Sequence, residues 1–227
     1  MDVFLLPIGP DKYELYYEPP DDDPAIVDEP KAEGFFRKWM HRFREMLREA
    51  EQARLAAAPA EPAGALARGR RRMMRFVAER IAEWRLLWHL RSADAVVVHV
   101  PTDMTEEEAM RRIRAMLKAD ADRHLRSLII NLLLLAASIP LMVVPGPNVL
   151  AYYFSFHVVG HFLARQGARR GLNVLSWRIV PTPALCELRK ALALKEPHRA
   201  QTVHHVASEL RLQHLVGFFQ RIALPTA

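Results

Sequence analysis

The sequence contains little of what several common classes of protein require. Cys186 is the single cysteine among 227 residues, which excludes an intramolecular disulfide framework and a zinc cluster built from cysteines. Nine glycines are too few for a glycine-rich repeat protein, and no internal repeat is visible. The chain also lacks a phosphate-cradling glycine loop and a nucleophile elbow, so we expect a protein that is not an enzyme.

Charge is distributed unevenly along the chain. The formal net charge is +6, but the first 33 residues contain ten acidic and two basic side chains and carry −8, which leaves +14 for the rest. A basic body of this kind is typical of proteins that bind nucleic acid or an anionic membrane surface. Because no nucleic-acid-binding motif accompanies the charge, we expect no nucleic acid partner.

The residues outside the most apolar region predict a small α+β module with a three-stranded sheet. Residues 1–18 read as a β-hairpin, since two β-rich stretches flank a Gly-Pro-Asp-Lys turn. Residues 19–34 form an acidic loop. Residues 35–122 read as two amphipathic helices around an Ala/Pro linker at 56–64, then a third strand at 95–100. A helix from about residue 106 to 119 follows, with Thr105 as its N-cap.

Two apolar stretches predict a helical hairpin. Residues 127–144 contain no ionisable side chain, and the only side chains of residues 149–163 that ionise near neutral pH are two histidines. Pro145-Gly146-Pro147-Asn148 between them breaks a helix and predicts a tight turn. Eighteen helical residues reach about 27 Å, slightly less than the roughly 30 Å of a bilayer core. We expect residues 123–164 to form a transmembrane hairpin, with a re-entrant hairpin or a buried hairpin of a soluble protein as alternatives.

The basic residues around this hairpin predict its orientation. Six Lys and Arg residues between 111 and 126 precede it, and three Arg residues between 165 and 170 follow it. Basic residues stay on the cytoplasmic side of a membrane, so both hairpin ends are expected there. Residues 165–227 then contain this basic exit and the C-terminal helices. The expected partners are the lipid bilayer and its anionic head groups.

Few polar side chains lie within the hairpin. His157 and His161 are four residues apart and share one helix face, a spacing that suits a proton relay, a metal pair or simple packing. The glutamate of a zincin helix is missing, so we expect neither a metal nor another cofactor. Asn131 is the polar residue of the first apolar helix, with a structural hydrogen bond as its expected role. The residues expected at the membrane interface are Tyr152, Tyr153 and Trp177.

The order of these parts resembles a known family. The resemblance is carried by the Phe-Leu-Leu-Pro strand at 4–7, the Val-rich strand ending at Pro101, the Pro-Gly-Pro-Asn turn, and Tyr-Tyr-x3-His-x3-His-x2-Ala-x2-Gly-Ala at 152–168. Together they resemble the mitochondrial K⁺/H⁺ exchange-related family, most strongly over residues 141–171. Members often have an arginine where this chain has His157, so any arginine-dependent role is in doubt here.

The resemblance implies an inner-membrane protein linked to K⁺/H⁺ exchange, as a component or a regulator. Transporters usually build their binding site from many helices, and this chain has one predicted hairpin. A homo-oligomer or a partner exchanger is therefore expected. The absence of a presequence and the richness in Ala and Arg suit a bacterial cytoplasmic membrane. The alternative hypothesis is a membrane-anchored scaffold or interaction module without transport activity.

Overall fold

The computed structural model describes residues 1–18, 84–138, 149–195 and 197–222. The elements in chain order are β1 (Asp2–Pro7), β2 (Tyr13–Tyr16), α1 (residues 84–92), β3 (Ala95–Val100), α2 (Glu106–Ala137), α3 (Val149–Asn173), β4 (Ser176–Pro181), α4 (Pro183–Ala191), α5 (His198–Glu209) and α6 (Leu215–Ile222). The predicted loop at 19–34, linker at 56–64 and turn at 145–148 lie outside the described residues.

The described residues fall into two compact units. The first unit contains 1–18, 93–119 and those from 171 onward, and the second contains 84–92, 120–138 and 149–170. Helix α2 therefore begins in the first unit and ends in the second. The α+β class expected from the sequence is confirmed.

The first unit is built on a mixed sheet with strand order β2-β1-β3-β4. Strand β1 is antiparallel to β2 and parallel to β3, and β3 is parallel to β4. The predicted N-terminal hairpin is confirmed, with Phe4 opposite Tyr16 and Pro7 opposite Tyr13. The two middle strands are almost entirely apolar, as expected for strands that are covered on both faces.

The predicted number of three strands is wrong, because Ser176–Pro181 forms a fourth. Trp177, Ile179 and Val180 give this segment its β-forming character, and it pairs with β3 along its whole length. From the sequence, the segment was assigned to the exit from a membrane helix. Its partner strand is far away in the chain, so the pairing leaves no mark in the local pattern.

One face of the sheet packs on the three C-terminal helices. Phe4, Leu6 and Ile8 alternate along the first strand and share a core with α4, α5 and α6. The largest contributions from these helices are Leu185, Leu188, Val203, Val206, Leu215 and Phe219. This core fixes α4 against α5, which determines how their outward-facing side chains meet.

The helices are longer or shorter than the sequence pattern predicts. Helix α2 continues for 32 residues, past its predicted end at 119, because no Gly or Pro interrupts it. Its predicted N-cap is confirmed by the backbone N–H of Glu108, which donates to Thr105 Oγ1 at 3.2 Å. The C-terminal helices predicted within residues 165–227 are α4, α5 and α6, and α5 and α6 are separated by a turn in which Arg211 has φ of 56°.

The expected transmembrane hairpin is not supported. Among the residues that the structure describes, none of the helices combines the length and apolar character needed to cross a bilayer. In α2 the described apolar run comprises only residues 127–137, and Arg123 and Arg126 lie just before it. In α3 the basic residues from Arg165 to Arg170 are part of the same helix rather than a separate exit.

Candidate functional site

The second unit encloses a group of histidines. His157 and His161 lie on α3, and His124 lies on α2. We call these three residues the histidine cluster. Trp84 of α1 contacts all three. His124 and His157 are buried, with 6% of the surface of each residue exposed, and His161 is half-buried. Buried histidines of this kind need hydrogen-bond partners or a function that explains their burial.

Helix periodicity places these residues on buried faces. His124 is three residues after buried Ala121, so both lie on one face of α2. On α3, His157 and His161 continue through Ala164 and Ala168 along a row of positions three or four apart, and both alanines are fully buried. The small alanines let neighbouring elements come close to this face.

Two of the histidines share a hydrogen bond. His124 Nδ1 and His161 Nδ1 are 2.8 Å apart, so one ring donates its N–H and the other accepts. The His157 and His161 ring centroids are 5.9 Å apart, and the Tyr153 ring centroid is 4.5 Å from that of His157. The three imidazoles therefore lie in a short row, and a hydrogen bond along which a proton can pass joins His124 to His161.

Trp84 forms an aromatic wall for this row. Its ring centroid is 4.7 Å from that of His161, 5.8 Å from His157 and 6.1 Å from His124. The Phe156 ring stacks on the same indole at 6.1 Å. An indole face attracts a cation, so this wall favours a transient imidazolium more than an aliphatic wall would.

Burial lowers the pKa of two histidines of this unit. Burial, followed by the positive charge of Arg123, lowers the pKa of His124 to about 4. Burial, followed by Arg85, lowers the pKa of His89 on α1 to about 3. At neutral pH the His124–His161 hydrogen bond therefore joins His124 in its uncharged form to its neighbour.

Helices α1 and α3 approach each other closely, which brings Trp84 to the cluster. A side chain at Gly160 would overlap the Trp84 indole, and one at Gly167 would overlap the backbone carbonyl of Leu87. Trp88 Nε1 also donates to the carbonyl oxygen of Gly160 at 3.2 Å. The two glycines thus set the distance between these helices.

The other residues singled out from the sequence are spread over the molecule. Tyr153 is half-buried beside His157. Asn131 Nδ2 donates to the Ser127 carbonyl of its own helix at 2.8 Å. Trp177 is half-buried on β4, and its Nε1 donates to the Gly171 carbonyl at 2.8 Å. The Tyr152 side chain and the Pro145–Asn148 turn lie outside the described part of the chain.

Sequence reasoning missed His124 and Trp84 as members of this site. Trp84 lies within residues 35–122, where the sequence predicts two amphipathic helices, and His124 stands between Arg123 and Arg126. The available signal for His124 is its spacing of three residues from Ala121, which continues the buried face of α2 formed by Ile113, Leu117 and Ala121. Its partner on another helix leaves no such signal.

An exposed apolar stretch ends the described part of α2. Its members, which we call the apolar segment, are Ile129, Ile130, Leu132, Leu133 and Leu134. Between 43% and 65% of the surface of each remains exposed. Contiguous exposed apolar residues of this size mark a surface that contacts lipid or another protein.

Comparison with known proteins agrees with the family that the motifs indicate. Residues 70–175 match the model of the family described as mitochondrial K⁺-H⁺ exchange-related. The match confirms the predicted resemblance and covers just under half of the chain. No curated protein and no solved structure matches the chain.

Proposed function

We propose that this protein, whose segment 70–175 belongs to the mitochondrial K⁺-H⁺ exchange-related family, is a membrane-attached component or regulator of monovalent cation–proton exchange. The histidine cluster is its proton-handling site. The observation that carries the proposal is one of position: His124, His157, His161 and Trp84 all lie inside the segment that matches the family.

The geometry of the cluster suits proton transfer rather than proton storage. A proton that arrives at half-buried His161 passes to His124 along the 2.8 Å hydrogen bond between their Nδ1 atoms. The low pKa of His124 means that burial disfavours its charged form, so the proton does not remain there. A group that accepts a proton briefly and releases it is what a coupled exchange step needs.

The apolar segment of α2 supplies the membrane attachment in this proposal. Its five large side chains are exposed in the chain itself, and lipid tails would cover them. Arg123 and Arg126 precede the segment on the same helix and suit anionic head groups. We therefore propose the bilayer and its anionic head groups as partners.

The proposed location is the cytoplasmic membrane of a bacterium, with the basic residues on the cytoplasmic side. Its support is the charge pattern and composition of the chain. A few helices do not enclose an ion path, so we propose that the chain works as a homo-oligomer or together with a partner exchanger.

Proton flux in vesicles tests this function. The full chain is reconstituted into liposomes with a K⁺ gradient, and the internal pH is followed with a dye. We expect K⁺-dependent proton flux to fall at least tenfold for His161→Gln and for His124→Gln, because glutamine cannot carry a proton along the row. The exposed His204→Gln serves as the control and should keep full flux.

A regulatory role is tested by measuring K⁺-dependent proton flux in membrane vesicles from cells with and without the chain. A regulator changes flux only where the partner exchanger is present. If the wild-type chain alters flux in neither preparation, the exchange function is wrong. If flux is present but identical in His161→Gln, the cluster is not the proton-handling site.

A second candidate is a membrane-attached scaffold without transport activity. It is favoured by the first unit, whose four-stranded sheet has its own core and can present a surface to a partner. This function predicts a stable complex that survives both histidine substitutions but is lost from membranes when the apolar segment is changed.

A further inference from the structure

Three donor side chains converge on the outer surface of the first unit. Glu187 lies on α4, and His205 and Glu209 lie on α5. One donor atom from each side chain lies within 4.8 Å of the other two. A carboxylate, an imidazole and a second carboxylate form a mixed donor set, which differs from a simple patch of acidic residues.

The core beneath these helices explains the convergence. Helix α4 buries Leu185 and Leu188, which leaves Glu187 outward. Helix α5 buries Val203 and Val206, and the positions four apart, His205 and Glu209, share its exposed face. Because the shared core holds the two helices together, the three side chains are brought close without any local interaction between them.

Within the described residues, none of the three side chains forms a hydrogen bond or an ion pair with another residue. Among the described residues, neither carboxylate forms an ion pair with a Lys or Arg, so the carboxylates of Glu187 and Glu209 repel each other at short range. Neighbouring Cys186 does not complete the group, since its Sγ is 3.2 Å from Thr102 Oγ1. A cation between the two carboxylates removes the repulsion.

We propose that Glu187, His205 and Glu209 bind one divalent transition-metal ion of the Zn²⁺ class. Zinc lies about 2.0–2.2 Å from nitrogen and oxygen ligands, so its ligands are at most about 4.4 Å apart. The exposed side chains reach this spacing by small rotamer changes. The imidazole favours zinc over Mg²⁺ or Ca²⁺, which prefer oxygen ligands, and water completes the coordination.

The bound ion ties α4 to α5 at the surface. The site lies outside residues 70–175, so it goes beyond the proposed exchange function and does not depend on it. The sequence predicts no metal, since the glutamate of a zincin helix is missing. Glu187 is distant in the chain from His205 and Glu209, and only the packing of the two helices brings them together.

Zinc titration of the full chain by calorimetry, after treatment with a chelator, tests the site. We expect a binding event of one Zn²⁺ per chain, and at least a tenfold loss of affinity in each of Glu187→Gln, His205→Ala and Glu209→Gln. The control is His204→Ala, the adjacent exposed histidine, which should bind as the wild type does. Substitution with Co²⁺ gives a second readout, because its visible absorption band depends on the ligands.

All three side chains are exposed, so the variants are expected to fold, and circular dichroism verifies this. In addition, Zn²⁺ should raise the unfolding temperature of the wild type and of His204→Ala but not of the three ligand variants. The proposal is overturned if zinc does not bind, or if the three variants bind it as tightly as the wild type. An unchanged Co²⁺ spectrum in His205→Ala has the same consequence.

Discussion

At the scale of single residues, burial separates the histidines into two groups with different chemistry. His89, His124 and His157 are buried in the second unit, and burial lowers the pKa of His89 and of His124. His204 and His205 are exposed on α5, where water and metal ions can reach them. The same side chain therefore serves the proposed proton relay in one unit and the proposed metal site in the other.

The buried histidines make stability depend on pH. Unfolded His124 takes up a proton near pH 6.5, whereas in the folded chain its pKa is about 4. Between these values the unfolded state binds more protons, so the free energy of unfolding falls as the pH drops. From pH 7 to pH 5, this one residue should lower the free energy of unfolding by about 2 kcal/mol.

Urea unfolding at both pH values, followed by circular dichroism, measures this effect. In His124→Gln the loss between pH 7 and pH 5 should be smaller than in the wild type by about 2 kcal/mol. The variant retains His89, whose low pKa contributes in the same direction in both proteins. His204→Gln should show the wild-type dependence, and an equal dependence in His124→Gln would contradict the burial argument.

At the scale of elements, the contact of α1 with α3 determines whether the site exists. The helices approach most closely at two glycines of α3, Gly160 against the Trp84 indole and Gly167 against the carbonyl of Leu87. At Gly167 the obstacle to a larger residue is backbone, the carbonyl of Leu87, which cannot rotate away as a side chain can. The approach of these two helices is therefore more sensitive to a single methyl group than most helix contacts are.

Gly167→Ala should lower the free energy of unfolding by about 1–3 kcal/mol, although alanine is the better helix former. The matched control is Gly217→Ala on α6, where an added methyl group meets no atom within 4 Å. That substitution should raise stability by about 0.5–1 kcal/mol through helix propensity alone. Thermal and urea unfolding measure both, and equal stabilisation by the two substitutions would show that the close contact does not exist.

At the scale of the whole molecule, the feature to be explained is a basic chain with an exposed apolar stretch. The net charge of +14 on the residues after the first 33 attracts anionic surfaces. Once the chain is at such a surface, the apolar segment of α2 can bury its side chains among the lipid tails. In the proposed membrane attachment, electrostatic attraction acts first and burial of the apolar side chains follows. Neither requires a helix that crosses the bilayer.

Flotation with lipid vesicles tests this attachment. The full chain should bind vesicles that contain anionic lipid, and Leu132→Ser, Leu133→Ser and Leu134→Ser together should reduce the partition coefficient at least tenfold, because about 1 kcal/mol or more is lost with each exposed leucine. Ala115→Ser, an exposed position on the same helix outside the segment, is the control. Undiminished binding by the triple variant would assign the attachment to another part of the chain.

Much of the local structure could be read from the sequence. The N-terminal hairpin follows from two β-rich stretches around a turn, and the start of α2 follows from Thr105 and Glu108. The resemblance to the family whose model matches residues 70–175 is visible in a spaced motif within residues 152–168. Each of these signals depends on residues close together in the chain.

Only the tertiary structure determined which segments distant in the chain contact one another. The fourth strand exists because β3 offers it a partner, and the His124–His161 hydrogen bond exists because the fold brings one residue of α2 to one of α3. The convergence of Glu187 with His205 and Glu209 has the same origin. The physical reason is that turns, caps and helix periodicity are set by interactions over a few residues, whereas strand pairing and helix packing depend on which apolar faces cover one another once the chain has collapsed.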